Sequence, residues 1–569
     1  MIKIVSHLFF LIFIMTSCVQ NTKKNNSLQL LLLWQVINAT PVCFGKDPLL
    51  KNQWHIKNTG QGGGVAGNDA NVVPLWEQSI FGRDVYVAVV DDGVDIDHPD
   101  LIANTRHSYH WNFIDKNNQI KPYTSNYPHG TSVAGVIGAR CNDIGVRGLA
   151  PLSKLVGYNL LLANTINTLD NNTSAVQSDT AEAMIKNKDV IQISNNSWGA
   201  PDGTGELMDE FAGTLWKESI IDGVRNGRGG KGIIYLWAGG NGSTKVTTTN
   251  NNIVLLIDQV DDSNHDGQAN FLPYIMAICA VTNLGKHSYY SELGANIWVC
   301  GYSDPLYNEG TLAITTTDIQ GNDGYNPPKD PEETDNPDVN YTDTFGGTSA
   351  ATPFVAGIVA LMLEANPNLT WRDIRYILAK TARRIDPFDS DWKQNGAGFF
   401  FNHKYGFGVA DAFSAVNLAK NFTSLGNYNN LKKTATNYDI ANQNIPDNNS
   451  IGITRNMNVS SNITKIEGVQ VEVQFSHQYF GDLEITLKSP SGTTAVLTRK
   501  HRCYKDANND PSDGLETESC NSYTNKTWVF SAANFLDENP NGNWSLTVKD
   551  LGLDDIGQLH RWKLIIFGR

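Results

Sequence analysis

Residues 85–93 read Val85-Tyr86-Val87-Ala88-Val89-Val90-Asp91-Asp92-Gly93, an unbroken apolar run that ends abruptly in two carboxylates and a glycine. A run without polar alternation suits a strand buried on both faces, as in a parallel sheet covered by helices. Gly232-Ile233-Ile234-Tyr235-Leu236-Trp237 repeats the pattern, and helix-like stretches separate such runs from about Asp47 to Leu425. The expectation is therefore an α/β domain with a mostly parallel sheet and helices on both faces. Such sheets place their sites at the carboxyl ends of strands, which directs attention to Asp91.

Working outward, the chain of 569 residues is too long for one core. The stretch 322–343, rich in Pro, Asp and Asn, reads as an exposed loop, and 427–449, polar and aperiodic, reads as a linker. Beyond it the pattern changes to period two, in Val469-Gln470-Val471-Glu472-Val473-Gln474-Phe475, Leu483-Glu484-Ile485-Thr486-Leu487 and Trp544-Ser545-Leu546-Thr547-Val548. Turns at Ser489-Pro490-Ser491-Gly492 and Asn539-Pro540-Asn541-Gly542 complete the signature of an antiparallel sandwich. The division expected is 1–46 as signal and N-terminal segment, 47–426 as the α/β domain and 427–569 as the sandwich.

Lys3, the apolar run Leu8 to Met15 and then Met15-Thr16-Ser17-Cys18 read as an export signal, with either lipidation of Cys18 or ordinary cleavage. The second apolar run, Leu28 to Val36, is too short to span a bilayer, and no later segment approaches roughly 18 apolar residues. A secreted, periplasmic or surface-tethered protein without a transmembrane span is expected. The net charge of −14 argues against nucleic acid as a partner. Export also favours disulfides, and Cys503 and Cys520, bracketing one polar loop, are expected to pair.

Two further segments supply what the Asp91 carboxylate could serve. His129-Gly130-Thr131-Ser132-Val133-Ala134-Gly135 opens a small-residue helix with a histidine, and Gly346-Gly347-Thr348-Ser349-Ala350-Ala351-Thr352-Pro353-Phe354-Val355-Ala356-Gly357 is a tight turn entering an apolar helix, with Pro353 expected in its first turn. A serine hydroxyl is a weak nucleophile until a base takes its proton, which assigns Ser349 and His129. The imidazole in turn needs a carboxylate to set its tautomer and stabilise its charged form, which assigns Asp91. Trp237-Ala238-Gly239-Gly240-Asn241-Gly242 follows a buried strand, and the Asn241 amide with the Ser349 N–H would receive an oxyanion. Singly, each has an ordinary structural reading: Asp91 and Ser349 as helix caps, His129 as a satisfied core histidine, Asn241 as a turn residue. Jointly, in the order Asp, His, Ser and on this fold pattern, they point to acyl-transfer chemistry.

These motifs resemble the subtilisin superfamily and, within it, the kexin and furin branch of proprotein convertases. The resemblance extends through Asp47-Pro48-Leu49, Gln53-Trp54-His55, Ser197-Trp198-Gly199, Leu363-Glu364-Ala365-Asn366-Pro367-Asn368-Leu369-Thr370-Trp371-Arg372-Asp373 and His403-Lys404-Tyr405-Gly406-Phe407-Gly408. The C-terminal part is similar to the convertase P domain through Gly481-Asp482-Leu483, Ser489-Pro490-Ser491-Gly492-Thr493, Glu538-Asn539-Pro540-Asn541-Gly542 and Trp562. The resemblance implies a jelly-roll sandwich docked on a calcium-dependent serine endopeptidase that cuts polypeptides after Lys or Arg.

By the same resemblance Asp202 and Asp266 form the floor of the pocket for the residue before the cut, Asp92 faces the next residue upstream and Glu182 one further out. Trp198 and Ala238 join them as substrate-binding residues. A buried carboxylate pair is costly until a cation completes it, which is the physical case for basic substrates. Asn126 and Tyr127 stand where convertases have Asp and Asn, which loosens a dibasic rule. The implied Ca2+ ligands are Asp47, Asp100, Asn142 and the Ile144 carbonyl at one site, and Asp202, Asp261 and Glu292 at a second. Near His129 only Asp115 with Asn117 remains of a third. Cys43 with Cys141 and Cys279 with Cys300 follow as expected bridges. Fewer than about 50 residues precede Asp47 where subtilisins carry a propeptide, so a separate folding chaperone, or support from the sandwich, is expected. Two other readings stay open at this point: a broad-specificity subtilase whose acids serve calcium alone, and a non-catalytic binding protein on the same scaffold.

Overall fold

The apolar run at 85–90 forms the strand Tyr86–Asp91, third in a seven-stranded sheet. The order is Trp111–Asn112, Lys154–Asn159, Tyr86–Asp91, Ile193–Asn196, Ile234–Ala238, Ile275–Val281, Ile297–Tyr302. Every pairing within it is parallel. The computed structural model describes residue 43 and residues 46–122, 127–170, 172–209, 213–249, 253–258, 260–304, 312–326, 338–504, 517, 518, 520 and 522–569. The expected export signal, Cys18 and Asn126 lie outside the described residues.

Val87, Ala88, Val89 and Val90 are all buried, so both faces of the central strand are covered, as the unbroken apolar run requires. The helix Gly347–Ala365 does much of this covering and is itself enclosed, being apolar on every side. Among the described residues it is the one helix with the length and apolarity to cross a membrane, and most of it is buried in the core. The chain leaves Tyr86–Asp91 for Lys154–Asn159 on one flank and Ile193–Asn196 on the other, so Asp91 ends its strand where the strand order reverses. Cys279 and Cys300 are register partners on neighbouring strands and are bonded, as are Cys503 and Cys520. Cys43 and Cys141 are each disulfide-bonded as well.

Three expectations are corrected. The stretch read as a linker contains the strands Lys432–Ala435 and Asp439–Ile445, both paired with Gly557–Gly568. Part of the stretch read as an exposed loop is the strand Tyr341–Phe345, paired with Ile314–Thr317 and burying Tyr341. Pro353 lies in the second turn of its helix, not the first. There it cannot donate to the Ser349 carbonyl four residues back, and that carbonyl instead accepts from Ser197 Oγ at 3.0 Å.

The C-terminal sandwich has one sheet ordered Lys432–Ala435, Gly557–Gly568, Ile466–His477, Tyr523–Ala532, with Asp439–Ile445 also on Gly557–Gly568. The facing sheet is ordered Ile453–Val459, Gly542–Asp550, Leu483–Lys488, Thr494–Thr498. Period-two alternation sends Val469, Val471, Val473, Leu483, Ile485, Leu487, Leu546 and Val548 inward to one apolar core. The sandwich grips the loop before Ile275–Val281. Asn264 exchanges hydrogen bonds with Ser531, its carbonyl accepts from Trp528 Nε1 at 2.9 Å, and Asn270 Nδ2 donates to the Val529 carbonyl at 2.9 Å. Polar groups buried at this junction are thus paired across it.

Candidate active site

Asp91 is fully buried at the end of its strand, and its Oδ1 lies 2.8 Å from His129 Nδ1. His129 opens the helix His129–Gly138. Gly130 permits the close approach, because a Cβ there would stand 2.1 Å from the Gly93 carbonyl oxygen and 2.9 Å from Asp91 Cβ. The ring packs edge-on against Phe345, with centroids 5.6 Å apart, at the entry to the Ser349 turn. Burial alone would lower the His129 pKa; the charge and hydrogen bond of Asp91, then the charge of Asp92, overcome it and hold the pKa above the usual imidazole value.

Ser349 lies in the first turn of Gly347–Ala365, where backbone N–H groups lack intrahelical partners. Its hydroxyl donates to the Ser197 carbonyl at 3.1 Å in this structure, so the serine is not bonded to His129 here. The Thr348 N–H and Oγ1 both donate to Asn241 Oδ1 at 2.8 Å. A backbone N–H can meet only an acceptor, so the amide oxygen must face Thr348 and Nδ2 must face the other way. Asp202 takes up the opposite side, its Oδ1 accepting from the Asn241 N–H at 2.8 Å and its Oδ2 from Nδ2 at a longer 3.4 Å. Thr348, Ser197 and Asp304, whose Oδ1 accepts from the Gly347 N–H at 3.0 Å, are positioning groups that the sequence reading did not assign. Thr348 and Ser197 sit inside quoted motifs; Asp304 has no local signal at all.

The acids expected at the pocket divide by environment. Asp266 is buried below Ser197-Trp198-Gly199, its Oδ2 accepting from the Ala200 N–H at 3.2 Å and its Oδ1 from the Gln268 N–H at 2.8 Å. Burial pushes its carboxyl up to about 7 against those two donors, and the charge of Asp202 adds to the rise. Asp92 caps the His129 helix, accepting from the His129 N–H at 3.2 Å and the Gly130 N–H at 2.8 Å. Burial and then the charge of Asp91 push it up to about 7. Glu182 lies on the helix Thr173–Ile185, paired at 2.6 Å with Lys186 one turn on. Trp198 donates to the Val90 carbonyl at 2.9 Å and packs on Trp237, bracing the strand ends, and Ala238 closes the strand Ile234–Ala238.

The two expected calcium sites differ in fit. Asp261 and Glu292 are buried, and the Glu292 carboxyl is pushed well up, first by burial and then by the charges of Asp261 and Asp202. Gly240 completes the cradle, since a Cβ there would stand within 2.4 Å of the Glu292 carboxylate oxygens. The mutual repulsion of Asp202, Asp261 and Glu292 suits a divalent cation, while Asp261 Oδ1 also meets His265 Nδ1 at 3.0 Å. At the other site Asp100 Oδ1 is buried without a hydrogen bond, whereas Asp47 is held by Arg147 at 2.6 Å and by the Asn142 and Asp143 N–H groups. An arginine thus already offsets part of the charge there. The Asn142 side chain turns back to accept from the Ile144 N–H at 3.2 Å.

Comparison with known proteins accounts for this geometry. Residues 82–408 match the subtilase family, and residues 466–566 match the proprotein convertase P-domain. Protease KEX1 of Kluyveromyces lactis is 32% identical over 94% of this chain and 62% of its own length. The dibasic-processing endoprotease of Schizosaccharomyces pombe is 32% identical over 94% of this chain and 67% of its own. The chain spans about three fifths of the length of several curated relatives it matches. The crystal structure of the serine protease of Aeromonas sobria superposes with a TM-score of 0.77 at 26% identity, covering 92% of this chain and 96% of that one. A second structure of that protease, in complex with its chaperone, matches equally. On this sequence and structural evidence, the chain belongs to the subtilase family, in the kexin and furin branch that carries a P-domain behind the protease fold.

Proposed function

We propose that this chain is an exported, calcium-dependent serine endopeptidase that hydrolyses polypeptides after Lys or Arg. The observation that carries the reading is the Asp91–His129 pair at 2.8 Å, at the strand end beside the turn that bears Ser349. Because Nδ1 is committed to Asp91, Nε2 is the free base. As substrate enters, the Ser349 hydroxyl swings from the Ser197 carbonyl to Nε2, loses its proton and attacks the scissile carbonyl. Asn241 Nδ2 and the Ser349 N–H receive the oxyanion, and His129 returns the proton to the leaving amine. Water then repeats the sequence on the acyl-enzyme. Disulfides Cys279–Cys300 and Cys503–Cys520 suit an oxidising, exported setting.

Basic preference rests on the buried Asp266 and on the more exposed Asp202, whose charge acts on it; a substrate cation would complete this negative pair. A peptide panel varied only before the cut tests it. Lys or Arg should exceed Leu or Phe by at least about a hundredfold in kcat/KM; equal rates would favour a broad-specificity subtilase.

Activity should also rise with pH along one limb displaced above the usual imidazole range, because His129 is active only when neutral and Asp91 holds its proton. It is lost as pH falls through that pKa. An Asp91→Asn enzyme, assayed at its residual rate, should show the limb at lower pH; an unmoved limb would dissociate it from this pair.

Calcium, where bound, would neutralise the Asp202, Asp261 and Glu292 carboxylates beneath the pocket. Removing it with a chelator should cost about 3 kcal/mol relative to calcium at a hundredfold excess over Kd. Calorimetry reads this as a fall in Tm of several degrees, restored by calcium and not by magnesium; identical melting curves would remove the ion from the reading.

A further inference from the structure

Four strand ends meet at one edge of the sandwich. His477 closes Ile466–His477, Asp482 precedes Leu483–Lys488, Asp550 closes Gly542–Asp550 and Asp555 precedes Gly557–Gly568. The first and last of these strands belong to one sheet and the middle two to the other. His477 Nε2 lies 3.3 Å from Asp550 Oδ2 and 3.4 Å from Asp555 Oδ1, and no side chain of the three is more than 1% exposed. In spite of that proximity, Nε2, Asp550 Oδ2 and both Asp555 oxygens make no hydrogen bond among the described residues. The three ligand atoms all lie within 4.8 Å of one another.

The other face of the imidazole explains why. His477 Nδ1 lies 2.8 Å from the Tyr479 carbonyl oxygen and 3.2 Å from the Tyr479 N–H. The shorter contact pairs a protonated Nδ1 with the carbonyl, which leaves a lone pair on Nε2 directed at two carboxylates. Asp550 is held in place through Oδ1, which accepts from the Gly552 N–H at 3.0 Å, so its free Oδ2 is fixed toward the histidine. Asp482 crowds Asp555 from a further side, with Lys500 Nζ 3.4 Å from its Oδ1. Buried carboxylates and a ring lone pair facing one another are costly unless a proton or a metal ion joins them. A proton on Nε2 would need to align with one oxygen, and neither contact has hydrogen-bond geometry. Tetrahedral zinc, with bonds of about 2.0–2.1 Å, separates its ligand atoms by about 3.3–3.4 Å, which the two distances from His477 Nε2 match. An imidazole in the set disfavours calcium and magnesium, which take oxygen ligands.

We propose that His477, Asp550 and Asp555 form a zinc site that ties the two sheets of the P-domain together, apart from the calcium ligands expected in the protease fold. The test uses the full chain, stripped by chelation and reloaded with saturating calcium. Titrated with ZnCl2 near neutral pH, it should take up one equivalent with a rise in Tm. Co2+ in the same place should give a visible absorption band that Zn2+ abolishes. His477→Gln and Asp555→Asn should each lose the bound equivalent and the band while keeping the near-ultraviolet circular dichroism of the parent. Failure of the unmodified, calcium-loaded chain to bind either metal overturns the proposal whether or not the variants fold, and so does unchanged uptake by folded variants. A stability that follows pH with no response to zinc would also overturn it, showing a proton in place of the metal.

Discussion

Ser349→Ala is expected to lower kcat for peptide hydrolysis by about 10⁴-fold or more and to leave the fold intact. The hydroxyl is the group that forms the covalent bond in the proposed reaction, and no neighbour can replace it: Thr348, the nearest hydroxyl in sequence, is committed to Asn241. Structurally, Oγ makes one hydrogen bond, to the Ser197 carbonyl, so its removal should cost only about 1 kcal/mol. The contrast between a collapsed rate and a nearly unchanged denaturation midpoint separates chemistry from folding. Labelling by a fluorophosphonate adds a direct readout, present in the calcium-loaded parent and absent in the variant. An unlabelled parent, or an alanine variant that still turns over, would leave the scaffold as a binding protein.

Glu467→Ala is expected to destabilise the chain by about 3–5 kcal/mol, the range for breaking a buried ion pair from one side. Arg372 is buried on the helix Trp371–Thr381 of the protease fold, and Glu467 is buried on the sandwich strand Ile466–His477. Nε and Nη2 of Arg372 meet the two carboxylate oxygens at 2.8 and 2.5 Å, and Nη1 donates to the Leu425 and Asn427 carbonyls. Arg375, one turn on, is also buried and draws on the charge of Glu467, which opposes the downward pull of burial on its guanidinium. Removing the carboxylate therefore strands two cations in the interior. Urea denaturation measures the loss, and a double variant, Arg372→Met with Glu467→Leu, should recover part of it because both charges leave together. A loss under about 1 kcal/mol would place the pair among surface bridges such as Lys186–Glu182, which contribute little. Since the same junction grips the loop carrying Asp261 and Asp266, the variant should also lose activity at temperatures where the parent is stable.

How far the sequence could be read depended on how local each signal is. The central strand was legible because burial on both faces leaves no polar position to interrupt the run at 85–90. The proposed base and nucleophile could be read because His129 and Ser349 are embedded in small residues that close approach demands, as Gly130 shows against Gly93 and Asp91. The strands Lys432–Ala435 and Asp439–Ile445 were taken for a linker because they add at the outside of a sheet, where most of their side chains meet water and no alternation is imposed. The convertase resemblance singles out Asp92 and Glu182 as acids, but their local engagement, by a helix N-terminus and by Lys186, is visible only in the fold.

By itself, then, the sequence determined the strand-and-helix pattern and the sandwich core and pointed to the proposed nucleophile, base and acid, since these follow from periodicity and from chemistry carried within a few neighbouring residues. Tertiary structure alone decided that Arg147 occupies Asp47, that Asp304 anchors the Ser349 turn, that Glu467 answers Arg372 and that His477 faces Asp550 and Asp555. Each of those is a meeting of residues many tens of positions apart or on different strands. The partner of a buried charge is chosen by which surfaces pack, and packing is a property of the whole chain rather than of any stretch within it.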